Sequence, residues 1–388
     1  MHATMQLIEV ALAMPTATEL TCAALRGERV EWPKEVRIGA MLDEVRAHGV
    51  AALLYRHARS LDWPVPIVDR LRAEAIALAA WELQHQQVLT RVVAALAAAG
   101  IEPVLLKGTA LAYSLYPDAA LRTRGDTDLI VPIAMRERTG NALREMGFHS
   151  LADAGGEVAS YQSSYVLDDN GQHCLDVHWR INNSELLARL FTYEELRRDA
   201  RPLPLLAPHA LGTGPVHSFL FACMHRGTHR QNTYYVDGVA HYEADRLVWL
   251  YDIHLLALSF DTTQWRHAIE LANAKGLHAV CLESVVAAQA RFGTVLPNDV
   301  SVSLTLAHSP EAPALYLASG RLRQQWMDFC ALGSIRRRWQ WAHDLVFPDR
   351  TYMLRKYAGM KLRWLPWLYA RRAASGVVRN LLRARARS

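Results

Sequence analysis

The chain changes texture twice along its length. Through its first hundred residues apolar positions recur every three or four residues. Ala-rich amphipathic stretches run through Lys34–His48, Val50–Leu61 and Pro66–Ala99, the spacing of helices that bury one face. Pro66 suits a helix start and Gly100 the position just past a helix end. From residue 101 the period shortens. Pro103-Val104-Leu105-Leu106 stops at Lys107-Gly108 and predicts a buried strand, and Thr109–Leu115 predicts a short helix capped by Thr109. Asp126–Val131 alternates polar and apolar residues before Pro132, as a strand does, and Ala134–Met146 predicts a helix closed by Gly147. Ser160–Leu167 and His173–Ile181 predict two strands about the hairpin turn Asp168-Asp169-Asn170-Gly171. Residues 201–215, with Pro202, Pro204, Pro208, Gly212, Gly214 and Pro215, predict a linker, after which 216–345 returns to helical periodicity.

The expected fold class is α+β, a small mixed-sheet core flanked by N- and C-terminal helical regions. The expected divisions are a helical region over 1–100, the core over 101–200, the linker over 201–215, a helical domain over 216–345 and a tail over 346–388.

Composition narrows the class further. At 388 residues, 51% hydrophobic and 21% charged, the chain can bury a sizeable core and is not a disordered protein. Cys22, Cys174, Cys223, Cys281 and Cys330 are scattered with no CxxC pair, which argues against a disulfide framework or a zinc site and for a reducing, cytoplasmic compartment. The stretch MHATMQLIEVALAM has no Lys or Arg before its apolar part, a poor secretory signal and too short to span a bilayer. The net charge of +5 hides an asymmetry. Thr351–Ser388 holds Arg355, Lys356, Lys361, Arg363, Arg371, Arg372, Arg379, Arg383, Arg385 and Arg387 with no acidic residue, which leaves −5 for the remainder. Interleaved with Trp364, Leu365, Trp367, Leu368 and Tyr369, this basic tail suits a peripheral membrane contact or, less well, nucleic acid; a solvated helical face is the alternative.

The chemistry concentrates in the core. In Arg124-Gly125-Asp126-Thr127-Asp128-Leu129-Ile130-Val131, a strand puts Asp126 and Asp128 on one face and Thr127, Leu129 and Val131 on the other. Two adjacent carboxylates repel unless a cation lies between them, and all-oxygen ligation suits Mg²⁺, with Mn²⁺ as the alternative. In Cys174-Leu175-Asp176-Val177-His178-Trp179, Asp176 and His178 likewise share a face. Asp176 is a candidate third acid, to complete a metal shell or deprotonate an acceptor hydroxyl. The competing reading is a turn leading into an edge strand with solvated acids. Lys107-Gly108-Thr109, between a strand and a helix, can bind phosphate through free N–H groups, a close backbone approach, a hydroxyl and a positive charge; the alternative is a plain helix cap.

Taken together, Leu105-Leu106-Lys107-Gly108-Thr109-Ala110-Leu111-Ala112, Leu115-Tyr116-Pro117-Asp118, Leu121-Arg122 and Gly125-Asp126-Thr127-Asp128-Leu129-Ile130-Val131 resemble the uncharacterised bacterial nucleotidyltransferase family, within the DNA polymerase β-like nucleotidyltransferase superfamily. Leu175-Asp176-Val177-His178-Trp179-Arg180 resembles the family's Asp-x-His-Trp segment, and weaker resemblance continues to Asp252, so that it covers roughly 100–260. The resemblance implies a nucleotidyltransferase core in which Asp126, Asp128 and Asp176 bind Mg²⁺ and Gly108-Thr109 replaces the superfamily's Gly-Ser at the triphosphate. One departure is the seventeen-residue separation between Gly108 and Asp126, longer than the superfamily usually has. The implied reaction moves a nucleoside monophosphate from an NTP, ATP first, to a hydroxyl on a small molecule, peptide or protein, with release of pyrophosphate. A catalytically degenerate regulator and an RNA- or tRNA-modifying transferase or toxin are the competing functions.

Arg122 and Arg124 precede the aspartates and are candidate phosphate ligands, or surface arginines. His225 and His229, four apart on an expected helix with His217 two turns earlier, lack the Glu of a zinc protease motif; Arg226 stands there instead. His225 is expected to face the nucleotide or acceptor. Asp252, among Trp249, Leu250, Tyr251 and Ile253, needs a partner, with His225 or Arg246 as candidates.

Overall fold

The computed structural model describes residues 16–151, 160–230, 234–236, 239–241, 245–305, 311–357, 362–372 and 375. The N-terminal apolar stretch and the basic residues of 376–388 lie outside the described residues.

Four helices open the fold: α1 (Ala17–Leu25), α2 (Ile38–His48), α3 (Ala51–Ala58) and the long α4 (Val65–Ala98). Their ends follow local chemistry. Thr16 and Glu19 form a reciprocal capping box at α1, Gly49 closes α2 in the left-handed conformation, and α4 carries Pro66 in its first turn and stops before Gly100.

The core alternates strands and helices: β1 (Val104–Leu105), α5 (Lys107–Ser114), β2 (Asp126–Ile130), α6 (Arg136–Glu145), β3 (His149–Ser150), β4 (Gln162–Asp168) and β5 (Gln172–His178). Two short helices, α7 (Glu185–Ala188) and α8 (Tyr193–Arg198), follow. Within the Pro- and Gly-rich 201–215 segment, β6 (Arg201–Pro202) and β7 (Leu211–Gly212) join the same sheet. The order is β3-β4-β5-β2-β1-β7-β6, with parallel and antiparallel neighbours mixed. The β4–β5 hairpin turns through Asn170 (φ 52°) and Gly171 (φ 137°), the left-handed backbone that such a turn demands.

A helical region follows: α9 (Pro215–Arg230), a small ribbon of β8 (Tyr234–Val236) and β9 (Val239–His241), then α10 (Leu247–Ser259), α11 (Thr262–Lys275) and α12 (His278–Phe292). Beyond it lie α13 (Asn298–Thr305), α14 (Ala312–Ala318), α15 (Arg321–Ala331), α16 (Ile335–Val346) and α17 (Arg350–Lys356). Among the described residues no helix is long and apolar enough to cross a membrane.

The sheet separates two apolar cores, and strand alternation decides which residue enters which. Leu105, Leu129, Val131, Leu175 and Val177 pack against Val88, Leu89, Val92, Val93 and Leu96 of α4. Val104, Leu106 and Ile130 enter the other core, with α1–α3 and α9–α12. The fold is α+β with helices on both sides of a mixed sheet, as the pattern predicts.

Candidate active site

Strands β2 and β5 pair in parallel, and their register sets Asp128 opposite Asp176, Asp126 opposite Cys174 and Ile130 opposite His178. Neighbouring strands run about 4.8 Å apart, so two carboxylates on the same face of paired residues become neighbours. Among the described residues, Asp128, Asp176 and His178 have ligand atoms within 4.8 Å of one another, close enough to share a metal ion. His178 shares a face with Asp176 and stands in the Asp-x-His-Trp segment, but it is not among the residues that the sequence assigns to the site.

Each acid is held differently. Asp128 is buried, and Lys107 Nζ (2.6 Å) and His178 Nε2 (2.7 Å) both donate to its Oδ1. Burial alone would raise its pKa, but Lys107 and His178 outweigh that and hold the carboxyl below the usual range. Burial likewise opposes the Lys107 charge, and the nearby carboxylates, Asp128 first, carry the ammonium above its ordinary value. Asp176 is half-buried and accepts from Ser164 Oγ (2.6 Å) and Gln162 Nε2 (2.8 Å), one donor on each oxygen. Asp126 is exposed at the end of β2, yet cavity walls surround its carboxylate. Desolvation there, followed by the Asp128 charge, pushes its pKa up to about 6.

These side chains line a cavity of about 540 Å³, shared with Lys107, Gly108, Arg122, Arg124 and His225, a volume in the usual range for small-ligand and cofactor sites. The N-terminus of α5 opens into it. The first N–H groups of a helix lack intrahelical acceptors and carry the positive end of its dipole. Lys107, at that junction, adopts φ 49°, a left-handed conformation shared among the described non-glycine residues only by Asn170. Such backbone costs about 1 kcal/mol or more for a residue with a Cβ, and it concentrates at functional positions. A Cβ at Gly108 would lie 3.5 Å from Arg122 Nη1, an ordinary contact, so the protein's own packing does not require glycine there.

The structure revises several expectations. The α5 helix begins at Lys107 with no side-chain cap, so Thr109 is an interior helix residue. It is buried outside the cavity lining, with its hydroxyl 2.9 Å from Thr127 Oγ1. Arg122 does not lie free for an anion. It forms a buried, two-pronged pair with Asp252 (Nε–Oδ1 2.8 Å, Nη2–Oδ2 2.7 Å), and Tyr116 donates to the same carboxylate at 2.7 Å. Arg122 and Tyr116, not His225 or Arg246, are the partners that Asp252 needed. The Arg124 guanidinium pairs with Glu82 (2.7 Å) and lies over the Trp81 and Tyr113 rings. His225 does line the cavity, packed against His229 and edge-on to Trp249. Burial, and then the His229 and Lys107 charges, push its pKa well down. His217 lies elsewhere, 3.7 Å from both Glu195 and Asp199.

Behind β2, on the face away from the cavity, a hydrogen-bonded chain runs through buried side chains. The Asp169 carbonyl can only accept, so His173 Nε2 donates to it (3.1 Å). His173 Nδ1 must then accept from His85 Nδ1–H (2.9 Å), and His85 Nε2 must accept from the Thr127 hydroxyl (2.8 Å), which in turn accepts from Thr109. The direction of every bond follows from the last carbonyl. Burial, with Arg124 and His173 adding, pushes the His85 pKa down to about 3, consistent with a neutral ring. This chain joins α4, α5, β2 and β5 behind the acids.

A profile of the family described as uncharacterised nucleotidyltransferase matches residues 34–293, well over half of the 388-residue chain. The chain belongs to this family. The match encloses α2 through α12 and so both walls of the cavity, a wider span than the motifs near 100–260. No curated protein matches the chain. Nucleotidyltransferases usually use divalent metals, and Asp128, Asp176 and His178 form a possible ligand set for one. Their donors are oxygen-rich, as Mg²⁺ prefers. His178 donates to a carboxylate oxygen as an outer-shell orienting residue does.

Proposed function

We propose that this nucleotidyltransferase moves a nucleoside monophosphate from an Mg²⁺-bound NTP, ATP first, to a hydroxyl on a small-molecule, peptide or protein acceptor. The observation that carries this reading is the parallel register that sets Asp128 beside Asp176 at the mouth of a nucleotide-sized cavity. Asp126, Asp128 and Asp176 would hold the ion, which would neutralise charge on the phosphoryl oxygens. Mn²⁺ would serve in the same oxygen-rich set.

The remaining residues supply binding and orientation. The α5 N-terminus, with Gly108 and the Lys107 charge, receives the triphosphate. The Arg122 guanidinium, beside Gly108, stays in its buried pair with Asp252 and shapes that wall of the cavity. His225, neutral in its buried setting, offers a hydrogen bond to the nucleotide or acceptor. The acceptor oxygen attacks the α-phosphorus, the bond from that phosphorus to the bridging β-oxygen breaks, and pyrophosphate leaves. In this reading Asp176, oriented by Ser164 and Gln162, takes the hydroxyl proton. Cytoplasmic NTP pools suit such an enzyme.

The test is incubation with Mg²⁺, each NTP and candidate acceptors, with pyrophosphate release and a nucleotide mass on the acceptor as readouts. Loss of both in Asp126→Ala and Asp128→Ala variants is expected. Persistence of transfer in those variants would falsify the assignment, and NTP binding with neither metal dependence nor turnover would replace it with a regulatory role.

A further inference from the structure

Helices α15 and α16 are built inside out. An amphipathic helix on a globular protein normally turns its apolar stripe inward. On α16, Ile335, Trp339 and Val346 share one face at i, i+4 and i+11, and they are 72%, 74% and 43% exposed. The opposite face carries Arg337, which donates to the Tyr161 hydroxyl (3.1 Å) and to Glu185 (3.3 Å) of the core. The pattern repeats on α15. Leu322 and Trp326, one turn apart, are 61% and 64% exposed. Asp328, on the far side, is buried against the Ser184 hydroxyl (2.7 Å) and the Tyr316 hydroxyl (2.9 Å). Both helices therefore attach through charged or polar groups and present their apolar residues to the outside.

The surroundings of this face are basic and aromatic. Arg321, Arg323 and Arg336 are exposed beside it. The 362–372 segment is tied to the end of α16 by the Arg372 to Leu345 carbonyl bond (2.6 Å) and by Phe347 against Tyr369, and it adds half-exposed Trp364 and Trp367. From Arg321 to Ser388 the sequence holds sixteen Lys and Arg against three Asp, so the region as a whole is strongly cationic. All of it lies beyond residue 293, where the family match ends.

We propose that the Ile335, Trp339 and Val346 face of α16 docks on the surface of an anionic bilayer, with those side chains entering the headgroup boundary and the surrounding arginines meeting lipid phosphates. Trp at that depth is favoured by its amphipathic ring, and helices of this kind lie in the interface and do not cross it. The charge decides between occupants. A second copy of the chain would bring one cationic face against another, and like charges oppose that contact. Nucleic acid would satisfy the arginines but leaves the aliphatic side chains of Ile335 and Val346 facing a polar backbone. An acidic bilayer satisfies both. The proposal concerns a surface outside the catalytic cavity and stands whether or not the acceptor assignment holds.

The test is co-sedimentation of the full chain with vesicles of phosphatidylcholine alone and of phosphatidylcholine mixed with phosphatidylglycerol, with Trp fluorescence in parallel. Binding to the acidic vesicles only, weakening as salt rises, with a blue-shifted emission, is expected. The double variant Ile335→Ser/Trp339→Ser should bind at least about tenfold more weakly while keeping its circular dichroism and melting temperature, because both side chains are solvent-facing. A folded protein that ignores acidic vesicles, or binds neutral ones equally, overturns the proposal. So does a self-association or an RNA complex that the same double variant abolishes while vesicle binding is unchanged.

Discussion

The two faces of strand β2 carry opposite kinds of polarity. Toward the cavity, Asp126 and Asp128 join Asp176 on β5, and Lys107 and His178 both donate to a single oxygen of Asp128, leaving more carboxylate than lysine at the site. Toward α4, Thr127 enters a chain of hydroxyl and imidazole groups that ends on the Asp169 carbonyl. The difference teaches how the same strand serves chemistry and position. The open face keeps charge that a cation and a triphosphate can use. The closed face holds the strand in place with hydrogen bonds that have no use for either. A fully satisfied buried network rigidifies, whereas an uncompensated charge invites a ligand.

That division makes unequal demands on its residues. Asp176→Asn should lower nucleotidyl transfer by about 10²–10³-fold, the scale on which one electrostatic partner of the transition state acts, with little change in melting temperature because the Asn oxygen still accepts from Gln162 Nε2 and its NH2 can donate to the Ser164 hydroxyl. Pyrophosphate-release kinetics and thermal unfolding would separate the two effects, and a variant with full activity breaks the assignment of the open face. Next in size is the buried pair in the cavity wall. Arg122→Met strands the Asp252 carboxylate and should cost about 3–5 kcal/mol of stability by denaturant unfolding. Arg122→Met/Asp252→Leu should recover most of it, and failure to recover would mean that the pair is not the reason for the loss.

The closed face should respond in stability more than in turnover. Thr127→Val leaves the acceptor nitrogen of His85 and the Thr109 hydroxyl without their partner, for about 1–3 kcal/mol, while turnover per folded molecule stays near wild type. If Thr127→Val abolished transfer as deeply as Asp176→Asn, the two faces would not be separable. The same chain predicts a pH dependence. His85 has its pKa pushed down to about 3, against about 6.5 in an unfolded chain. Between those values the unfolded chain binds more protons, so this contribution to stability is complete above about pH 6.5 and is lost progressively as pH falls toward 3. The melting temperature of the wild type should therefore fall more steeply from about pH 7 to about pH 5 than that of His85→Gln; parallel curves would remove His85 as the cause. The smallest effect is expected at Gly108→Ala. The fold accepts a methyl at 3.5 Å from Arg122, so stability should hold while the KM for NTP rises several-fold. An unchanged KM would move the triphosphate elsewhere in the cavity.

Much of the site was legible because strand alternation acts locally. It put Asp126 and Asp128 on one face, Thr127 and Leu129 on the other, and Asp176 with His178. The Asp169-Asn170-Gly171 turn and the flanking helices followed from equally local signals. What escaped depended on distant partners. Arg122 and Asp252 lie 130 residues apart, so neither sequence segment reveals that each neutralises the other. Glu82 and His85 looked like polar positions on an amphipathic helix, and only the packing of α4 behind β2 turns them toward Arg124 and Thr127. Thr109 has the chemistry of a cap, but the left-handed Lys107 starts α5 two residues earlier and Thr127 takes the hydroxyl. The expectation of a linker over 201–215 did not include β6 and β7, because two-residue strands carry no periodicity of their own and exist only by pairing with the edge beyond β1.

The central claim is that the acids on β2 and β5 work together through a divalent ion to hold an NTP. Calorimetric titration of ATP into the full chain, with Mg²⁺ and with a chelator, tests it directly, repeated on Asp126→Asn/Asp176→Asn. Binding that requires Mg²⁺ in the wild type and disappears in the folded double variant is expected. Binding of equal strength with the chelator, or in the double variant with Mg²⁺, would contradict it.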